Sequence, residues 1–354
     1  PTNSGVICVG GTVTLNANPA TGAAAYAWSG PSLSSNTAQN PTASPTVTST
    51  YSLTVTDGSG QPGCSPSTIY TTTVTVNPIA TLTSVTNNGP VCEPATLTFS
   101  ANGASNVTGY SWSGPVAMTG ATTATPSVSS TSTAASGIYT VVVNNGSGSG
   151  CTTTYTNTAT VNTIPTVASI TPSTTNMCNG ATLTLNAGSV SGSGSLVSYN
   201  WSGPNIYSTT TTTNSTSLVP TTSAASGVYT LSVTYSDLGC TSNPVTSSSV
   251  TVNNLPTMTS IGVSPTVLCA GAVLTLNGNG ASGAGTVVSY NWSGPGGYSS
   301  TTTGSTQVYT MPDAGASGSY SASVTYTGTG CTSNPVSSTT VTVNPLPIAY
   351  NVTG

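Results

Sequence analysis

The sequence predicts an all-β fold, a linear array of four β-sandwiches. Three observations carry that expectation. Apolar residues alternate with Thr, Ser and Asn over short runs; one set of landmarks recurs four times in fixed order; and Gly (39) and Pro (24) interrupt any helical stripe. Strict alternation over a few residues, bounded by turn formers, marks strands with one buried face. In Thr12–Asn18 the side chains of Val13, Leu15 and Ala17 share one face. In the third repeat Tyr229, Leu231, Val233 and Tyr235 do the same.

The repeat is read from its landmarks. Each unit opens with a cysteine (Cys8, Cys92, Cys178, Cys269) and continues with an alternating strand such as ATLTFSA or ATLTLNA. A W-S-G-P turn follows at Trp28, Trp112, Trp201 and Trp292. A strand led by Tyr51, Tyr139, Tyr229 or Tyr320 comes next. A second cysteine (Cys64, Cys151, Cys240, Cys331) precedes a closing V-T-V-N or A-T-V-N, whose Asn residues lie 85, 91 and 91 positions apart. The expected repeats are 1–78, 79–163, 164–254 and 255–344, with 345–354 as a linker or first strand for whatever follows. Units of this size with about seven short strands suit a two-sheet sandwich. The four Trp are expected in the cores, and the four Tyr resemble the tyrosine corner of immunoglobulin-like sandwiches, in which the hydroxyl satisfies nearby backbone.

Composition excludes most chemistry. The 354 residues contain no Lys, Arg or His, and only four carboxylates (Asp57, Glu93, Asp237, Asp313), for a formal charge of −4. Without cations the chain cannot neutralise phosphates, so nucleic-acid binding by that route is excluded. Without His there is no Ser-His-Asp or Cys-His pair and no imidazole metal site. The carboxylates are at least 36 positions apart, and no acidic calcium loop is visible. No enzyme, metal or cofactor is expected. Nor is the chain expected to be disordered: apolar residues make up 35%, with four Trp and sixteen Tyr. Thr (73) and Ser (57) supply the solvated surface that charge does not. No apolar run approaches the length of a membrane span.

Two cysteines per unit, eight in all, predict disulfides and an oxidising compartment. The default pairing is within units: Cys8–Cys64, Cys92–Cys151, Cys178–Cys240 and Cys269–Cys331. A staggered scheme stays open. In an immunoglobulin-like strand order the two cysteines of a unit lie at opposite poles. The first cysteine of one unit could then meet the second of the next, giving Cys8–Cys151, Cys92–Cys240 and Cys178–Cys331, with Cys64 and Cys269 reaching beyond the chain.

The pattern C-x-G-x-x-x-T-L, Y-x-W-S-G-P, S-G-x-Y-x-x-x-V, G-C-x-x and T-V-x-V-N resembles the immunoglobulin-like and PKD-like repeats of large Bacteroidetes-type, type IX-secreted cell-surface adhesins. The resemblance covers the whole chain. It implies an exported, extracellular spacer or adhesive stalk with no catalytic residues. The sequence departs from that family in lacking scattered surface charge and a C-terminal sorting domain.

Two functions compete. The first is a non-catalytic extracellular filament or stalk, stiffened by short linkers such as Asn77–Pro78 and Leu255–Pro256. The second is an adhesin that binds glycans or other cells through loops such as Gly203–Thr213 and Gly294–Gly304. A weaker third is ice binding through Thr ladders. Joined end to start, the termini complete one normal linker, so a tail strand containing Pro347, Ile348, Tyr350 and Val352 is expected to serve the next repeat. That repeat belongs either to a longer chain or to another copy added by strand donation. The expected partners are thus copies of the chain and, in the second function, glycans. Six sequons (Asn106, Asn145, Asn200, Asn214, Asn291, Asn351) are candidate glycosylation sites.

Overall fold

The computed structural model describes residues 1–18, 23–57, 68–129, 131–146 and 150–347. The protein is all-β, and its only helical elements among these residues are single 3₁₀ turns. It divides into two compact units, Pro1–Ile164 and Pro165–Gly354. Among the described residues the buried apolar side chains of each unit gather into two separate clusters.

The second repeat shows the common plan. Leu97–Asn102 lies between Ser84–Asn87 and Ser127–Val128 in one sheet. Gly137–Asn144 lies between Gly109–Ser113 and Thr152–Ala159 in the other. All these pairings are antiparallel, as short connections require. Leu97, Phe99 and Ala101 point inward from the first sheet, and Tyr139, Val141 and Val143 from the second. The period of two in the sequence thus becomes one dry interface between two sheets. A short parallel pair completes the sandwich: Val91–Cys92 runs beside Val161–Asn162. This is the strand order of an immunoglobulin-like sandwich.

The other repeats follow the same plan with one systematic difference. In repeats one and two the Trp-bearing strand is the last strand on its side of a three-stranded sheet. In repeats three and four a further strand, Ser208–Thr211 or Tyr298–Thr302, covers that side and makes the sheet four-stranded. The indole N–H of each buried Trp is satisfied accordingly. Trp28 and Trp112 donate to the carbonyls of Ala38 and Thr123 in loops. Trp201 and Trp292 donate to the hydroxyls of Thr211 and Thr302 on the added strands.

Candidate functional site

The landmarks of each repeat converge on one small lock. Tyr51, Tyr139, Tyr229 and Tyr320 are fully buried. Their hydroxyls donate to the carbonyls of Pro31, Ala135, Ala225 and Ala316 at 2.8–2.9 Å. The last three acceptors end 3₁₀ turns four residues upstream, so the strand entry is tied to its own first side chain. Burial pushes the phenols of all four above their ordinary pKa of 10, and Tyr320 is raised to about 12, with Tyr309 and Tyr298 adding to the shift. The Gly of W-S-G-P sits against this ring. A Cβ at Gly203 would lie 2.3 Å from Cδ1 of Tyr229, and Gly30, Gly114 and Gly294 are equally close to their Tyr. In repeats two to four the Pro of the same motif packs on the Gly of S-G-x-Y, as Pro204 does on Gly227. The motifs spaced across each repeat are therefore the two halves of one contact.

The cysteines occupy two fixed places. Each first cysteine lies in the parallel bridge to the closing strand: Cys8 opposite Asn77, Cys92 opposite Asn162, Cys178 opposite Asn253, Cys269 opposite Asn344. The residue after it donates its N–H to the carbonyl of that same Asn in all four repeats. The second cysteines Cys151, Cys240 and Cys331 lie before the last strand of the Tyr-led sheet. In repeat two the strand Thr152–Ala159 separates Cys151 from Asn162, and at about 3.3 Å per residue that is on the order of 30 Å. A disulfide needs Cα atoms within about 7 Å.

That distance overturns the default pairing within repeats. The disulfides are Cys8–Cys151 and Cys178–Cys331, each with Cα atoms 5.6 Å apart. Each joins the first cysteine of one repeat to the second cysteine of the next. Cys92 and Cys240 are disulfide-bonded as well. Cys269 departs from the expectation that all eight cysteines pair: it is a free, exposed thiol. Its place opposite Asn344 is that of Cys8 and Cys178, whose bonds both go to the following repeat. Cys64 lies outside the described residues.

The linkers are held at the same poles. The amide of Asn145 donates to the carbonyl of Pro78 at 2.6 Å. Together with Asn77 and Asn106 these residues line an open cleft of ≈ 350 Å³. In the second unit Asn179, the residue after Cys178, accepts from the N–H of Leu255 and donates to the carbonyl of Thr221. A cleft of ≈ 290 Å³ beside Asn254, Pro256 and Asn334 marks that junction.

The remaining candidates are placed as follows. Among the sequons, Asn106 and Asn214 are exposed. Asn200 and Asn291 stand in strands and are engaged by Thr hydroxyls on both sides. Asn351 lies outside the described residues, as do Ile348, Tyr350 and Val352 of the tail strand; Pro347 is exposed. In the loop Gly203–Thr213, Ile206 is 98% exposed and has φ of 53°, as does Asn205. The matching residues of repeat four are Gly296 and Gly297, with φ of 66° and 77°. A β-branched residue is strained there. Among the described residues no three His, Cys, Asp or Glu side chains gather to hold a metal. No helix among them is long and apolar enough to cross a membrane.

No family model and no curated protein matches the chain. Solved structures of tandem β-sandwiches are similar at low identity. Sidekick-1 immunoglobulin domains 1–5 match at 11% identity over 96% of this chain and 78% of that one, with a TM-score of 0.28. Three N-terminal domains of the highly immunogenic outer capsid protein of bacteriophage RB49 match at 14% over 76% and 99%, with a TM-score of 0.28. Fibronectin(III)-like modules of Clostridium thermocellum CbhA match at 14% over 52% and 100%, also with a TM-score of 0.28.

Proposed function

We propose that the chain is a non-catalytic extracellular stalk or filament segment, of the kind found in type IX-secreted surface proteins, in which sulfur bridges lock each sandwich to the next. The observation that carries this reading is the stagger: Cys8–Cys151 and Cys178–Cys331 link repeats instead of closing them. A bridge inside a sandwich adds to the stability of that sandwich. A bridge between sandwiches also removes freedom at the linker, which is what a stiff rod needs. The exposed thiol of Cys269 is where a following repeat, of a longer chain or of another copy, would continue the series. Six bonded cysteines fit an oxidising compartment. Negative-stain imaging of native material tests the reading. Fibres with a regular axial repeat that loosen under reductant are expected; dispersed particles unchanged by reductant would contradict it.

A second reading, adhesion through loops, is favoured by Ile206. The backbone holds a fully exposed apolar side chain in a conformation that its sister repeat assigns to Gly. Strain kept at an exposed loop tip points to a contact made there. Retention of dispersed chains on immobilised glycans or cells, lost in Ile206→Gly, would support this reading over the first.

A further inference from the structure

We propose that the open edge of strand Thr152–Ala159 is a lateral pairing site for the same strand of a second copy of this chain, joined antiparallel about a two-fold axis. The last strand of each Tyr-led sheet is long in repeats one and two (Ile69–Val74 and Thr152–Ala159) and two residues long in repeats three and four (Val245–Thr246 and Val336–Ser337). Register explains the difference. Leu53, Val141, Leu231 and Ala322 are equivalent, and they stand opposite Tyr70, Tyr155, Val245 and Val336. The residue before each partner is Ile69, Thr154, Pro244 or Pro335. In repeat three the N–H of Ser247 donates inward to the Tyr229 carbonyl, in the register that pairs Leu231 with Val245. The alternation then places position 244 facing away from the sheet. Proline there blunts the outer edge at no cost to the inner ladder. Repeats three and four carry that guard; repeats one and two do not.

Among the described residues the segment 82–87 meets this strand through the inward side chains of Tyr155 and Asn157, and Cys151 before it is bonded to Cys8; no proline or cation guards its outer edge. Edge strands are ordinarily protected by Lys, Pro, a bulge or a covering segment. The chain has no Lys or Arg, and TTTYTNTA contains no charge and no Pro. The Asn87 amide caps the far end by donating to the Thr158 carbonyl, which leaves the stretch through Thr154 and Thr156 open. Thr152, Thr154, Thr156 and Thr158 are all exposed on one face, beside Ile138, which is 62% exposed. Two such strands about a dyad would match Thr with Thr, a favourable cross-strand pair. A second copy is the fitting occupant: its edge is self-complementary and brings no like charge to the contact. Continuous pairing of this kind would bundle rods side by side, independently of any end-to-end joining.

The test is sedimentation equilibrium of the full chain carrying Cys269→Ser, so that no exposed thiol can link copies, with and without Thr154→Pro. The substitution installs what repeats three and four already have. The parent is expected to sediment as a concentration-dependent dimer and the Thr154→Pro variant as a monomer. Hydrogen-exchange protection of Gly137–Asn144 should be the same in both. Should Thr154→Pro lose that protection, Thr156→Lys provides the same test, by placing a charge on the shared edge. A parent that stays monomeric at all concentrations, or a dimer that survives an edge substitution in a folded chain, overturns the proposal. Neither result bears on whether fibres form end to end.

Discussion

At the scale of the residue, the Tyr and the Gly of W-S-G-P act as one part. The recurrence of both is legible in the sequence, but that they touch is not, because the contact spans different strands. Gly203→Ala would drive a Cβ to 2.3 Å from the Tyr229 ring. Overpacking of this sort costs about 1–3 kcal/mol. Hydrogen exchange in Thr230–Tyr235 should report it as a local loss of protection in repeat three, with repeat four unaffected. Ile206 offers the opposite sign. Relief of a left-handed β-branched residue contributes about 1–2 kcal/mol, partly offset by the added freedom of Gly in the unfolded chain. Ile206→Gly is therefore expected to raise protection at the loop of repeat three. A fall in protection would show that the exposed side chain supports the fold in some other way.

At the scale of the element, the added strands Ser208–Thr211 and Tyr298–Thr302 change how a buried Trp is satisfied. In repeat three the hydroxyl of Thr211 accepts from the Trp201 indole and donates to the Thr213 carbonyl. Thr211→Val keeps the shape and removes both bonds. An unmet buried donor costs about 1–3 kcal/mol, so protection around Trp201 should fall, and unchanged exchange would refute the bond's importance. Across the outer faces of these sheets the hydroxyls pair with one another. Thr301, Asn291 and Thr325 form a ladder, which Thr325 continues to Thr332. Asn200, Thr210, Thr234 and Thr241 repeat it. This is how a surface nearly without charge meets its polar demand.

The strands themselves were legible because alternation and the Tyr and Trp landmarks are local signals. The added strands were not. Their segments, STTT and YSSTT, lie in Thr-rich stretches that read as loops, since a strand whose outer face is solvated and whose inner face carries hydroxyls shows no apolar alternation. The disulfide pairing was legible only as a choice. Spacing within a repeat favours closure inside it, and the poles of the strand order favour the stagger. What decides is the length of Thr152–Ala159, which holds the two cysteines of one repeat far apart. Cys269 follows from the same rule. Its counterparts Cys8 and Cys178 bond forward to the second cysteine of the next repeat, and among the described residues Cys269 is a free thiol.

At the scale of the whole molecule, the scarcity of charge sets the response to pH. No side chain of His is present to titrate near neutrality, so stability should be flat there. Burial raises the phenols of Tyr51, Tyr139, Tyr229, Tyr298 and Tyr320, the last to about 12. The folded state thus favours the neutral phenol. That contribution is complete below the unfolded value near 10 and is lost as pH rises through about 12. Alkaline unfolding that begins near pH 10 and tracks tyrosinate absorbance is expected; a transition centred near neutral pH would contradict the assignment.

The central claim is that sulfur joins neighbouring repeats. Cleavage at the four methionines, Met118, Met177, Met258 and Met311, tests it under non-reducing conditions. The account predicts that 312–354, carrying Cys331, stays attached to 178–258, carrying Cys178, while 259–311, carrying Cys269, is released alone. Recovery of 312–354 bonded to 259–311 would instead place the bridge inside the repeat and contradict the account.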